Sequence, residues 1–94
     1  MNDTKAVNVT VSGKVQGVWY RAWTVEEARS RGLVGWVRNR NDGTVEAVFA
    51  GPAGQVDDMV EACRRGPKHA RVAGVAVAPA GYPSVDGFEQ RATY

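Results

Sequence analysis

The order of periodic segments constrains the fold of this chain more than any other feature of its sequence. Residues 7–11 alternate valine with polar residues, which predicts a half-buried strand. Two later strands, over residues 33–38 and 44–50, are joined by Asn-Asp-Gly at residues 41–43, residue types that tolerate the positive φ of a tight hairpin. A helical segment flanks each side of this hairpin, and a last strand follows at residues 75–77. The predicted order is β-α-β-β-α-β.

The first helix is predicted over residues 20–31. Gly32 can adopt the left-handed conformation at which many helices end, and Leu33 is placed to complete a Schellman motif. The face that we expect to pack on the sheet carries Ala22, Val25 and Ala28.

The second helix is predicted from Pro52, which fits a first turn, to its stop at Gly66 and Pro67. Val72 is out of phase with the strand that follows it, which predicts a bend near Gly74. Four apolar residues at positions i, i+3, i+4 and i+7 form the buried stripe of this helix: Val56, Met59, Val60 and Cys63.

This order is typical of an α+β, ferredoxin-like sandwich with a split βαβ arrangement. We expect an antiparallel sheet with both helices on one face, to which residues 88–91 can add a further short C-terminal strand. The 94 residues form a single predicted domain over residues 1–94. A chain of this size buries roughly 60–65% of its unfolded surface, which is enough for one modest core.

Charge and the rare reactive residue types exclude several classes of function. Twelve Lys and Arg against ten Asp and Glu give a net charge of +2, which does not by itself indicate a nucleic-acid partner. The single cysteine, Cys63, is expected to be a buried small hydrophobe, and the single histidine, His69, a solvated loop residue. We expect no metal or cofactor. With no signal peptide or membrane span visible, we expect a cytoplasmic, most simply monomeric protein without a membrane partner.

The segment from Gly13 to Arg21 leaves a strand, carries two glycines and enters a helix N-terminus. Successive backbone N–H groups in such a turn can converge on an anion with the help of the helix dipole. Gly17 lets an anion approach the backbone closely, and the planar guanidinium of Arg21 can reach the same anion. Judged on spacing alone, a plain strand-to-helix turn with a surface arginine is the favoured alternative.

The residue types shift that balance. The segment resembles the first signature of the acylphosphatase family, Gly13-Lys14-Val15-Gln16-Gly17-Val18-Trp19-Tyr20-Arg21. A second family signature is similar to Gly35-Trp36-Val37-Arg38-Asn39. The resemblance covers residues 7–91 and is specific, because two long motifs occur at the right separation. It continues at Asp42, Gly43, Val45, Gly51 and residues 66–67 and 70–72.

The resemblance implies metal-independent hydrolysis of acyl phosphates to a carboxylate and inorganic phosphate. It implies that the Arg21 side chain binds the phosphate and that the Asn39 amide orients the attacking water. The loop backbone would cradle the phosphate through residues Val15, Gln16, Gly17, Val18, Trp19, Tyr20 and Arg21.

Two loop residues, Trp19 and Tyr20, are notable within this resemblance for their residue types. The family usually has phenylalanine where Tyr20 stands, and a buried phenol needs a hydrogen-bond partner. Trp19 is bulky at a position that varies in the family, so it can alter which acyl groups fit.

Two alternatives stay open. RNA-recognition modules share the βαββαβ order, but residues 44–49 lack their basic and aromatic pattern, and Glu46 would repel phosphate. The other alternative is a non-catalytic acylphosphatase-like domain that binds anions. The presence of both Arg21 and Asn39 favours the enzyme over this alternative.

Overall fold

The computed structural model describes residues 3–94, which form a five-stranded sheet and two helices. The predicted α+β order is confirmed, and residues near the C-terminus supply the fifth strand. The elements are β1 (Thr4–Lys14), α1 (Tyr20–Ser30), β2 (Val34–Asn39), β3 (Val45–Pro52), α2 (Ala53–Arg65), β4 (Arg71–Pro79) and β5 (Phe88–Gln90).

The strands lie in the order β4-β1-β3-β2-β5. The first three neighbouring pairs are antiparallel, as predicted for a split βαβ fold. The predicted antiparallel sheet is thus confirmed for the four main strands, and only the extra C-terminal strand departs from it, because β5 pairs parallel to β2, with Gly35 opposite Phe88. This follows from the strand directions, because β4 runs opposite to β2. The chain reverses direction once, through residues 80–87, so β5 runs in the same direction as β2.

Both helices pack on the same face of the sheet, as predicted. Helix α1 lies over β2, β3 and β5, and α2 lies over β1, β3 and β4. The predicted stripe of α2 is confirmed, because Val56, Met59 and Cys63 are buried and Val60 packs at the edge of the core. The strands contribute their alternate, helix-facing residues, among them Val9, Val11, Val37, Val45 and Phe49.

The buried face of α1 differs from the predicted one. Tyr20, Thr24 and Ala28 face the core at positions i, i+4 and i+8, whereas Ala22 is exposed. Thr24 is tolerated there because its hydroxyl donates to the Tyr20 carbonyl at 2.7 Å, which satisfies the polar group within the helix. Val25 is only partly buried against the core.

The predicted end of α1 is confirmed in detail. Gly32 has φ of 69° and donates to the Arg29 carbonyl, while Leu33 donates to the Ala28 carbonyl, both at 3.0 Å. These are the two hydrogen bonds of a Schellman motif. The start of α2 is shifted slightly from the prediction, because Pro52 ends β3 and serves as the N-cap instead of entering the first turn.

Two local distortions predicted from glycines also occur. Gly43 in the β2–β3 hairpin has φ of 94°, and Arg40 and Thr44 close the turn with an N–H to carbonyl bond of 2.8 Å. The pairing of β1 with β4 shifts register between Ser12 and Gly13, which leaves an extra residue on β4 beside Gly74. No helix within residues 3–94 has the length and apolarity needed to cross a bilayer.

Candidate active site

A cleft of about 340 Å³ opens where the β1–α1 loop meets the end of β2. Six of the residues predicted from the sequence line it. They are Val15, Gly17, Trp19, Tyr20, Arg21 and Asn39, and Ala22 and Gln90 complete the lining.

The loop between β1 and α1 has an alternating backbone. Gly17 has φ of 73° and Trp19 has φ of 66°, whereas Gln16 and Val18 have negative φ. Alternation of ordinary and left-handed residues turns successive N–H groups into a concave nest that suits an anion. Trp19 is the one non-glycine with positive φ among the described residues, and this conformation costs a bulky side chain roughly 1–2 kcal/mol.

The N-terminus of α1 adds further donors to this nest. Trp19 is the N-cap, and no side chain caps the first turn. The first turn also carries no acidic residue. Because the first N–H groups of a helix have no partner within it, those of α1 are available, together with the positive end of the helix dipole, to a negatively charged ligand.

Gln16 holds the loop from outside the cleft. Its Nε2 donates to the backbone carbonyls of Arg40 and Thr44, each at 2.8 Å. Both N–H bonds of the side-chain amide are therefore used to attach the loop to the β2–β3 hairpin. The side chain faces the hairpin, so only the backbone of Gln16 is available to the nest. Val18 likewise points into the core.

Tyr20 anchors the start of α1 from below. Its buried hydroxyl donates to the Cys63 carbonyl at 2.6 Å, which supplies the partner that the sequence requires. Burial, with the nearby Cys63, raises the pKa of Tyr20 well above its ordinary value, so the phenol stays neutral. Burial also raises the pKa of Cys63 to about 12, which leaves the thiol without the thiolate that a nucleophile needs.

Arg21 lies in the first turn of α1 and lines the cleft. Its Nη1 donates to the Arg91 carbonyl at 3.3 Å, and this hydrogen bond holds one end of the guanidinium. Within residues 3–94 no carboxylate forms an ion pair with this guanidinium. The positive charge of Arg21 is thus available to a ligand in the cleft.

Asn39 is the last residue of β2 and lines the same cleft as the loop. Its carbonyl accepts from the Tyr94 N–H at 3.0 Å, and the Asn41 N–H donates to the Tyr94 carbonyl at 2.9 Å. The Arg91 N–H donates to the Val37 carbonyl at 2.8 Å. The segment after β5 therefore continues to pair with β2 and fixes the backbone of Asn39.

The opposite face of the sheet supports the same end of β2. Glu46 on β3 accepts from Asn8 at 2.9 Å, from Arg38 at 2.8 Å and from Arg40 at 3.2 Å. Burial raises the pKa of Glu46, but these hydrogen bonds and the two guanidinium charges outweigh burial and lower it overall. The carboxylate so ties together the residues on either side of Asn39.

The structure also shows what the sequence analysis did not identify. Ala22 and Gln90 line the cleft, and the Arg91 carbonyl holds Arg21. No sequence signal marks the contacts of Gln90 and Arg91, because they depend on the arrival of β5 at the edge of β2. No group of three or more His, Cys, Asp or Glu side chains suited to a metal occurs among residues 3–94.

Comparison with known proteins decides the family. The family model for acylphosphatase matches residues 7–90 of the chain. The chain belongs to the acylphosphatase family. An acylphosphatase of Rhodospirillum rubrum is 58% identical over 87 residues, which cover 93% of this chain and 96% of that protein. An acylphosphatase of Rhizorhabdus wittichii is 53% identical over 91 residues, covering 97% of this chain and 92% of that protein.

A solved structure supports the same conclusion at the level of the fold. The acylphosphatase of Coxiella burnetii superposes with a TM-score of 0.90 at 34% identity, and the match covers 96% of this chain and 94% of that one. The chain is therefore an acylphosphatase-family enzyme with the ferredoxin-like fold that the sequence predicts, and it hydrolyses acyl phosphates to a carboxylate and inorganic phosphate. None of these findings favours the RNA-binding or the non-catalytic alternative.

Proposed function

We propose that the loop over residues 15–21 binds the phosphate of the substrate through its backbone. The Arg21 side chain binds the same phosphate, and the Asn39 side chain positions the attacking water. One observation supports this assignment above the others. The left-handed backbone at Gly17 and Trp19 and the N-terminus of α1, which no side chain caps, border the same cleft as Arg21. Its guanidinium forms no ion pair within residues 3–94. Backbone donors, a helix dipole and a positive charge thus surround one position, which is the arrangement that a phosphate dianion requires.

The chemistry of the substrate explains why this small set of groups suffices. The leaving group is a carboxylate whose conjugate acid has a pKa of about 4, so it departs without a general acid. Phosphoryl transfer depends mainly on positioning and on stabilisation of charge on the equatorial oxygens. The loop N–H groups and Arg21 supply that stabilisation, and we propose that they do so without a metal.

Asn39 faces this position from the end of β2. Its side-chain carbonyl can accept a hydrogen bond from the attacking water. The water then approaches the phosphorus on the side opposite the departing carboxylate. The paired backbone around Asn39 keeps this geometry fixed before substrate binds.

We propose further that the enzyme acts in the cytoplasm as a monomer formed by one domain, with acyl phosphate and inorganic phosphate as its partners. We propose neither a nucleic acid nor a membrane as a partner. A net charge of +2 and a cleft with one arginine are suited to a small anion.

The decisive experiment compares hydrolysis of benzoyl phosphate by wild type, Arg21→Ala and Arg64→Ala, with EDTA in every assay. Arg64 is an exposed arginine on α2, away from the cleft, and provides the matched control. We expect Arg21→Ala to lower kcat/KM by about 10³–10⁵-fold, the range for a transition-state arginine in phosphoryl transfer. Arg64→Ala should stay close to wild type.

Inorganic phosphate gives a second measurement on the same site. It should compete with the substrate, and its inhibition constant should rise in Arg21→Ala. A folded Arg21→Ala variant with wild-type turnover and unchanged phosphate inhibition would contradict the assignment. Reversible loss of wild-type turnover in EDTA would contradict the metal-free part of the proposal.

A further inference from the structure

Among the described residues that line the cleft, Trp19 is the one exposed aromatic side chain. Its side chain keeps 80% of its surface in solvent although it lines the cleft, which places the indole on the rim. Tyr20, its neighbour, is by contrast fully buried. A large exposed apolar ring beside a polar nest is a candidate contact for the part of a ligand that extends out of the nest.

The backbone fixes where this ring begins. Trp19 adopts the left-handed conformation, with φ of 66° and ψ of 21°, and its carbonyl accepts from the Trp23 N–H at 3.0 Å to start α1. A bulky residue rarely adopts this conformation, and such outliers concentrate at functional sites. The start of the helix keeps this backbone conformation in place, which fixes the direction in which the Trp19 side chain leaves the chain.

The charges of the cleft restrict the group that can lie beside the indole. Arg21 is the one charged side chain among the described residues that line the cleft. If Arg21 and the nest bind the reacting phosphate, a second phosphate or a carboxylate on the acyl group meets no further cation in the lining. An uncharged acyl group instead meets apolar surface from Trp19 and Ala22.

We infer that Trp19 determines substrate specificity by stacking on a flat, uncharged acyl group, so that the enzyme prefers aromatic acyl phosphates to small aliphatic ones. This inference rests on the proposed phosphate site and adds the substrate class to it. The acyl group is joined to the phosphorus through one oxygen, so it leaves the nest through the mouth of the cleft. An aromatic ring there can cover the indole in an offset stack, whereas a methyl group leaves most of it exposed.

The test is the ratio of kcat/KM for benzoyl phosphate to kcat/KM for acetyl phosphate. Trp19→Asn removes the ring and keeps a residue that tolerates the left-handed conformation. We expect it to lower this ratio about tenfold, the effect of one aromatic contact. Trp19→Phe should keep most of the ratio. Tyr82→Asn, which removes an exposed aromatic residue that does not line the cleft, is the control and should leave the ratio unchanged.

Binding without turnover provides an independent readout. Phenylphosphonate should inhibit wild type more strongly than methylphosphonate, and Trp19→Asn should remove most of that difference. An unchanged ratio in Trp19→Asn, or an equal loss for both substrates, would overturn the inference and leave Trp19 with a role in loop structure alone. These outcomes are distinct from failure of the phosphate site, which only wild-type turnover by Arg21→Ala would indicate.

Discussion

The Tyr20 hydroxyl donates a hydrogen bond of 2.6 Å to the Cys63 carbonyl and joins the start of α1 to the end of α2. The Cys63 carbonyl needs this donor because its partner four residues later in the helix would be Pro67, which has no N–H. The phenol therefore satisfies a buried carbonyl at one helix end while it supports the loop at the other.

Replacement of Tyr20 by phenylalanine should destabilise the protein without abolishing catalysis. Tyr20→Phe keeps the ring but leaves the Cys63 carbonyl buried and unpaired, which costs about 1–3 kcal/mol. Urea unfolding measures the loss, with Tyr82→Phe at an exposed position as the control. Equal stability of Tyr20→Phe and wild type would show that the hydrogen bond contributes nothing net.

Gln16 should affect catalysis through its attachment of the loop to the hairpin. Gln16→Glu keeps the shape but places an oxygen against the Arg40 and Thr44 carbonyls, so both hydrogen bonds become repulsive contacts. We expect a loss of about 1–3 kcal/mol in stability, together with weaker inhibition by phosphate. Gln55→Glu, the same change at an exposed site on α2, is the control. A Gln16→Glu variant that loses stability but binds phosphate normally would show that Gln16 does not support phosphate binding by the nest.

Asn39 should act on the water and only weakly on the phosphate. Asn39→Ala should lower kcat about 10²-fold, the cost of a misplaced reactant, while the inhibition constant of inorganic phosphate changes little. Asn41→Ala, in the exposed turn nearby, is the matched control. Steady-state kinetics with benzoyl phosphate gives both values. A normal kcat in folded Asn39→Ala would remove Asn39 from the proposed mechanism.

Glu46 should make stability depend on pH in the acid range. Its pKa is lower in the folded protein than the ordinary value of 4.5, so its ion pairs stabilise the fold above that value. This contribution is lost as the pH falls through the folded pKa. Thermal unfolding between pH 7 and pH 3 should therefore show a shallower decline for Glu46→Gln than for wild type. Glu61→Gln, an exposed control, should follow wild type, and an identical slope for Glu46→Gln would contradict the prediction.

Most elements of the fold could be predicted because local patterns specify them. The alternating valines of β1, the stop at Gly32 and the turn at Gly43 each depend on residues within a few positions of one another. Six of the eight residues that line the cleft were likewise identifiable, because the loop and the end of β2 carry two motifs that resemble family signatures. Period and turn chemistry act over short distances along the chain, so one sequence is sufficient to recognise them.

Other features could not be predicted because they join distant parts of the chain. Thr24 replaces Ala22 on the buried face of α1, since a hydroxyl that bonds within its own helix can enter the core. Glu46 supports the cleft through partners that lie 6 to 38 residues away in the sequence. Gln16 does so through partners that lie 24 and 28 residues away.

The sequence alone therefore determined the order of the strands and helices along the chain, the residues at which both helices stop and the residues that form the loop. Only the tertiary structure decided that β5 pairs parallel to β2, that Gln90 lines the same cleft as Asn39 and that the Arg91 carbonyl holds Arg21. The physical reason is that dihedral preference and hydrophobic period are properties of neighbouring residues. A hydrogen bond between distant segments depends on the closure of the whole sheet.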